Sequence, residues 1–378
     1  RVDELAVSWA SAIWIGHNSL RFDEEMVRHS LYGALRRPYA TQSNGNMRLD
    51  LLGVAHFLHA VEPEAIAVPR TESGRLTFSL GPLMEANGLP PNPAAHDALA
   101  DSRATADMLR FIVARAPAAW RWLLELLDKR AIVRLLETSE FVLVVDRTRA
   151  RAVAPIGRNP GYSNEWLGLD LSEDPAPLFG LPPEELGGHR RLRRLRINRM
   201  PLLVSPDHAV AARLVADLPA EVWSWARTVR ADSERLATAA TAQRAEYPSS
   251  PYVEDRLYEG GFFPLDADAG AIAEFHRADP ADKPAFLGAM RDRRARQLGR
   301  RILYNECPEV LSAECLAKMD QGRLARMHTA DAPWTTVPKA LAAIDQLMPA
   351  ASPPIARMLE EYGRYLDDEA RRQRQESA

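Results

Sequence analysis

The sequence predicts a multidomain α/β chain: an alternating strand–helix region first, a small β region in the middle and an all-α remainder. Three observations predict it. The 378 residues exceed one ordinary domain and suffice for two or three. Apolar residues make up 46% and charged residues 26%, the balance of a folded globular chain rather than a fibrous or disordered one. The texture of the chain changes twice, at Phe141 and at Asp207.

In the first region, Ala10 to Gly16 is short, bulky and stopped by glycine, as in a buried strand. Phe22 to Tyr32 reads as a helix with Asp23 near its start. Arg48 to Ala60 reads as a second helix, with Leu51, Leu52, Ala55 and Leu58 or His59 on one face. Pro69 to Leu76 is a polar loop. Leu80 to Ala86 is a short helix closed by Asn87-Gly88 in a left-handed cap. Asp97 to Ala114 is helical until Pro117, and one more helix runs from Ala118 to about Leu136.

Four strands follow, at 141–145, 151–155, 166–171 and 195–198, separated by Gly, Pro and Asn. From Asp207 onward Ala, Leu, Arg and Glu recur at helical spacing. The helical stretch from Ala209 to Ala237 is expected to pack on the β region, so the divisions expected are 1–136, 137–235 and 236–378. The charged tail from Asp367 to Ala378 is expected to fray.

A net charge of −3 gives no global attraction to nucleic acid, so any polyanion site must be a local patch. Cys307 and Cys315 are the only cysteines, which excludes a disulfide scaffold and a Cys-rich zinc module and fits a reducing cytoplasm. The longest apolar run, Ala6 to Gly16, holds two serines and is far short of a membrane span, and no signal segment follows Arg1. Of 48 basic residues only four are Lys, a bias that genomic base composition explains. Its corollary is that nearly every cation is a planar guanidinium, able to grip phosphate oxygens in pairs.

The sharpest chemistry lies at Ala95 to Asp101. On a helix from Asp97, the residues Asp97, Asp101, Thr105, Met108 and Ile112 share one stripe. A carboxylate in line with Met108 and Ile112 faces the apolar side and needs a cation, donors or a metal. A divalent ion at the helix start would also relieve the repulsion between two acids at i, i+4. His96, just before the helix, is placed to act as a base on water. Asp97 fits an N-cap as well as a ligand, and a His and Asp at this spacing often occur by chance. Gly16 to Glu25 is the second feature. Asp23 enters from a strand-to-helix loop, where α/β folds build sites. The plainer alternative is a capping acid with two solvated glutamates.

Two arginine runs could track phosphates: His189 to Arg199, with six Arg and no acid, and Arg291 to Arg301. A solvated face explains such runs equally well. Trp14, Phe22, Tyr162 and Trp166 could stack bases, although Trp14 and Phe22 read rather as core.

Together the segments 16–25, 48–52, 78–88 and 95–105 resemble bacterial exodeoxyribonuclease I, within the superfamily of proofreading 3′-to-5′ exonucleases. Fainter echoes at 153–155, 197–203 and 257–268 extend the likeness over nearly the whole chain. The resemblance implies a ribonuclease-H-like α/β exonuclease domain, a Src-homology-3-like β-barrel domain and an all-α C-terminal domain. It implies hydrolysis of the 3′-terminal phosphodiester of single-stranded DNA to mononucleotides, in DNA repair and recombination. Two Mg2+ ions, replaceable by Mn2+, would serve the reaction. His96 would be the general base, Asp101 a direct metal ligand, and Asp23 a ligand through water or an orienting group. DNA contacts fall to Asn18, Arg21, Phe22, Arg190, Arg191, Arg193 and Arg194. The implied partners are single-stranded DNA and the C-terminal tail of the single-stranded DNA-binding protein, with no membrane.

One departure matters. The family's first motif is an Asp-x-Glu on a strand upstream of the one ending at Gly16, and Asp3-Glu4 lies too close to be it. The expectation is a family member without an N-terminal piece of its nuclease domain, binding metal weakly and turning over little or nothing. The alternatives are a non-catalytic single-strand-binding remnant and an RNA-trimming member of the superfamily. The long C-terminal part argues against the latter.

Overall fold

The computed structural model describes residues 2–90, 97–241, 249–259, 265–329 and 332–376. The chain divides into two compact units, Arg1–Leu31 with Arg37–Ser249, and Tyr32–Arg36 with Ser250–Ala378.

The first unit opens with α1 (Val2–Ser8), β1 (Ile13–Gly16) and α2 (Asp23–Gly33), and continues with β2 (Met47–Asp50) and α3 (Leu51–Val61). Strands β1 and β2 pair in parallel, with Ile13 opposite Met47 and Gly16 opposite Asp50. The expected helix over 48–60 is therefore corrected. Met47 to Asp50 is extended, and the helix begins at Leu51 because Asp50 caps it, accepting from the Leu52 N–H. Then come α4 (Leu80–Ala86), α5 (Ala98–Arg115), α6 (Pro117–Glu125) and α7 (Lys129–Thr138). Gly88, at φ +68°, takes the left-handed position expected after α4. The single helix expected over 118–136 is two, because the Asp128 carboxylate caps a new start at Lys129.

The middle strands are β3 (Val142–Asp146), β4 (Arg149–Arg158), β5 (Glu165–Asp170), β6 (Leu192–Arg196) and β7 (Leu203–Val204), with α8 (Pro183–Gly187) between β5 and β6. They form one antiparallel sheet in the order β6-β5-β4-β3-β7, with a register shift between Pro155 and Gly157. Every residue of β5 is buried. Helices α9 (Ala212–Ala216), α10 (Val222–Ala231) and α11 (Ser233–Thr241) complete the unit. One apolar cluster runs from Leu49 through Met108, Phe141 and Leu167 to Leu236, so the division expected at 136 falls inside a shared core.

The second unit holds α12 (Leu265–Arg277), α13 (Lys283–Ala289), α14 (Arg293–Glu306), α15 (Ala313–His328), α16 (Val337–Leu347) and α17 (Pro353–Glu376). Its larger core gathers Leu35, Leu257, Phe275, Leu298 and Leu303, and the Tyr32 hydroxyl donates to the Val253 carbonyl at 3.1 Å. A smaller cluster joins Val337, Ala340 and Ile344 to Leu359 and Leu366. Among the described residues no helix is long and apolar enough to cross a membrane.

Candidate functional site

Parallel pairing brings the carboxyl ends of β1 and β2 together, and the loop after β1 is anchored there by Asp50. Its Oδ1 accepts from the N–H of Asn18 at 2.7 Å and of Leu52 at 3.0 Å, and its Oδ2 from Leu20 N–H at 3.2 Å. A helix cap and a loop clamp thus share one buried carboxylate. The loop is tight: a Cβ on Gly16 would stand 2.5 Å from that of Ser19, and Asn18 sits at φ +60°. His17 packs inside it. Burial holds its imidazole pKa below the usual value, against the opposing pull of Asp50, of a hydrogen bond to the Phe78 backbone and of Asp101. Asp101, in the first turn of α5, is near enough for its charge to act on His17.

On α5 the expected register holds. Asp97 is the N-cap, accepting from Ala100 N–H at 2.9 Å, and it is exposed. Asp101 lies one turn on and is half-buried, above the buried Thr105, Met108 and Ile112. Thr105 donates its hydroxyl to the Asp101 carbonyl at 2.8 Å. His96 lies outside the described residues.

Asp23 starts α2 and is exposed. The next two acids are not the solvated glutamates of the plainer alternative. Glu24 is buried, with its Oε2 accepting from Thr41 Oγ1 at 2.8 Å and pairing with Arg48 at 3.2 Å and Arg28 at 3.8 Å. Glu25 pairs with Arg28 at 3.0 Å and Arg199 at 3.5 Å. Asp50 and Glu24 are the two residues that the sequence left without a role. The only signal for Asp50 was an acid just before the apolar run that opens at Leu51, and for Glu24 there was none, since its partners lie up to 24 residues away.

Arg21 is exposed, and Phe22 is 64% exposed, so its reading as core is corrected. Trp14 is half-buried and stacks on Trp9 with centroids 5.7 Å apart. Trp166 is buried in β5, which removes it as a stacking surface, whereas Tyr162 is exposed.

The run at 189–199 is largely occupied within the protein. Arg191 is buried, and its guanidinium donates to the carbonyls of Asp170, Asp174 and Glu173, so a free phosphate grip by Arg191 is corrected to a structural role. Arg193 and Arg151 share the Asp170 carboxylate at 2.7 and 3.2 Å. Arg194 meets Glu165 at 3.0 Å, and exposed Arg190 meets Glu173 at 3.5 Å. Alternation along a strand explains this. The run reads as one basic block, yet the antiparallel neighbour β5 places Asp170 and Glu165 beside it.

Among the described residues no group of three or more His, Cys, Asp or Glu is placed to hold a metal ion. Asp23 and Asp101, the two carboxylates assigned from the sequence, are joined by no third such donor among the described residues.

No family model matches the chain. A curated relative, exodeoxyribonuclease I of Escherichia coli strain K12, is 28% identical over 317 residues, covering 75% of this chain. The chain spans 65% of the length of that relative. Among solved structures, Exonuclease I from Methylocaldum szegediense is 27% identical with a TM-score of 0.81, over 97% of this chain and 83% of its own. E. coli Exonuclease I in complex with a dA16 oligonucleotide superposes with a TM-score of 0.81 over 97% of this chain and 84% of its own, and at 23% identity that likeness is one of fold. The family read from the motifs is borne out: in sequence over three quarters of its length, and in fold over nearly all of it, this chain is similar to bacterial exodeoxyribonuclease I.

Proposed function

We propose that the chain binds single-stranded DNA and belongs to a 3′-to-5′ exonuclease that releases mononucleotides, with Asp101, Asp23 and His96 at the reacting end. The observation that supports this most is the loop after β1, clamped by Asp50 at the carboxyl ends of the parallel strands β1 and β2 and leading to Asp23. It occurs within a fold shared with Exonuclease I, one of whose structures holds an oligonucleotide. His96 takes the proton of the attacking water, Asp101 holds the negative side of the site, and Asp97 keeps to its cap. A hard divalent ion such as Mg2+ would activate water and steady the leaving oxygen. Asp101 and Asp23 would hold such an ion, with water and substrate phosphate oxygens as its remaining ligands. The tail of the single-stranded DNA-binding protein, the Src-homology-3-like character of the middle sheet and a role in DNA repair rest on the resemblance.

The lack of a three-donor cluster among the described residues favours a second reading, a single-strand-binding module without turnover. One experiment separates them. A 3′-labelled dT oligonucleotide is incubated with the protein and Mg2+, with binding and label release measured together. Release that falls about 10²–10⁴-fold in His96→Ala, with affinity kept, supports the exonuclease. Binding with no release supports the module, and neither removes both. If Asp97→Asn harms release more than Asp101→Asn, the assignment on α5 is wrong.

A further inference from the structure

The first unit holds a cavity of about 280 Å3 that none of the roles above uses. It opens beside Leu20, on the loop that Asp50 clamps and that leads to Asp23. Its other walls come from β2, from the break between α6 and α7, and from the turns after β4 and β6. We propose that this cavity is a nucleotide subsite that seats one base with its phosphate.

Three observations point to that ligand class. The size, just below the ~300–1,000 Å3 typical of small-molecule pockets, suits one nucleoside unit and no folded partner. The faces are apolar, with Leu20, Met47, Leu126, Leu127 and Met200 able to sandwich a flat ring. The polar groups are amides and cations, with no carboxylate lining the cavity among the described residues. Gln42 and Asn198 offer side-chain amides that carry no hydrogen bond to a described residue, and an amide presents donor and acceptor together, as a base edge requires.

The charge supports an anion. Arg48 lies in the wall, its Nη2 donating to the Asn198 carbonyl at 3.1 Å and its Nη1 to Glu24. Arg28 and Arg199 join the same network, so that among the described residues three guanidiniums meet two carboxylates, Glu24 and Glu25. One positive charge is left over. Lys129, exposed at the rim and held by the Asn164 side chain, adds a second. A phosphate at this rim completes the balance, and the base lies inward against the apolar walls.

The strand as source of the nucleotide rests on the proposed action on single-stranded DNA; the ligand class rests on the cavity alone. The test therefore uses two probes, a dT oligonucleotide and free dTMP. Lys129→Glu, at an exposed position, and Asn198→Ala probe the subsite. Lys318→Glu, on α15 in the second unit, controls for loss of charge. We expect Lys129→Glu to weaken oligonucleotide binding about tenfold, the size of one charge-assisted contact, and Asn198→Ala about threefold, with Lys318→Glu near wild type. An oligonucleotide bearing 5-iodouracil should photo-crosslink within 197–200 or 126–129. If the oligonucleotide binds but Lys129→Glu matches the control and crosslinks fall elsewhere, the subsite is overturned and the proposed function stands. If dTMP binds and weakens in Lys129→Glu while the oligonucleotide does not bind, the subsite stands for a free nucleotide and action on single strands falls. If neither probe binds, both are overturned.

Discussion

The two sheets of the first unit are held by different forces. The five-stranded sheet has an interior strand, β5, buried at all six positions and bonded on both sides. The β1–β2 sheet has two strands of four residues, and no position of β1 is fully buried. A two-stranded sheet is marginal by itself. What fixes the site region is polar: Asp50 clamps the loop after β1, and Glu24 ties α2 to Thr41 and Arg48. The loop after β1 and the start of α2 are thus held by hydrogen bonds to single carboxylates, while the middle sheet is held by packing. The first kind of anchoring leaves a loop open to a ligand but concentrates its stability in few side chains.

The largest expected effect breaks the packed region. Leu167→Ala in β5, at a site with no solvent exposure, should cost about 2–5 kcal/mol in denaturant unfolding. Ile15→Ala in β1, half-buried, should cost less than half as much. Equal losses would show that both sheets are packed alike. The next effect sharpens the polar side. Asp50→Ala removes a cap and orphans loop amides, for about 1–3 kcal/mol. Hydrogen exchange should speed up at Asn18 and Leu20 while β4 and β5 stay protected. Unchanged exchange at those two amides would mean that another group holds the loop.

The smallest effect concerns pH. His56 packs edge-on to Phe78 at 4.3 Å, and burial, with Arg147 adding to it, lowers its pKa from 6.5 to about 4. Between these values the unfolded chain binds more protons than the folded one. Stability is therefore full above pH 6.5, falls as pH drops towards 4 and then levels; because His56 is partly exposed, the loss stays below the ~3 kcal/mol that the whole shift would carry. His17 acts in the same direction. In thermal melts between pH 4 and 7, His56→Gln should flatten this acid limb, and an unchanged slope would remove His56 as its source.

Much of this was legible in the sequence, and the divide follows the range of the interactions. Local signals were decisive where the answer is local. The Asp97 cap, the stripe from Asp101 to Ile112, the Asn87-Gly88 stop and the four main strands of the middle region depend on neighbours within a turn or a pleat. The order of four motif segments carried the family likeness without any coordinates. Other features depended on chain segments that meet only in the fold. Met47 to Asp50 became a strand because β1 lay beside it to pair, whereas its apolar pattern alone fitted the helix that follows. The arginines of β6 lost their freedom to Asp170 and Glu165 on the neighbouring strand, and Glu24 went inside because Arg28, Arg48 and Thr41 converge on it. Periodicity says which face of an element is apolar. It cannot say which charge will find a partner, because a buried ion is tolerated only where distant residues supply its counter-charge, and that supply is a property of the tertiary structure.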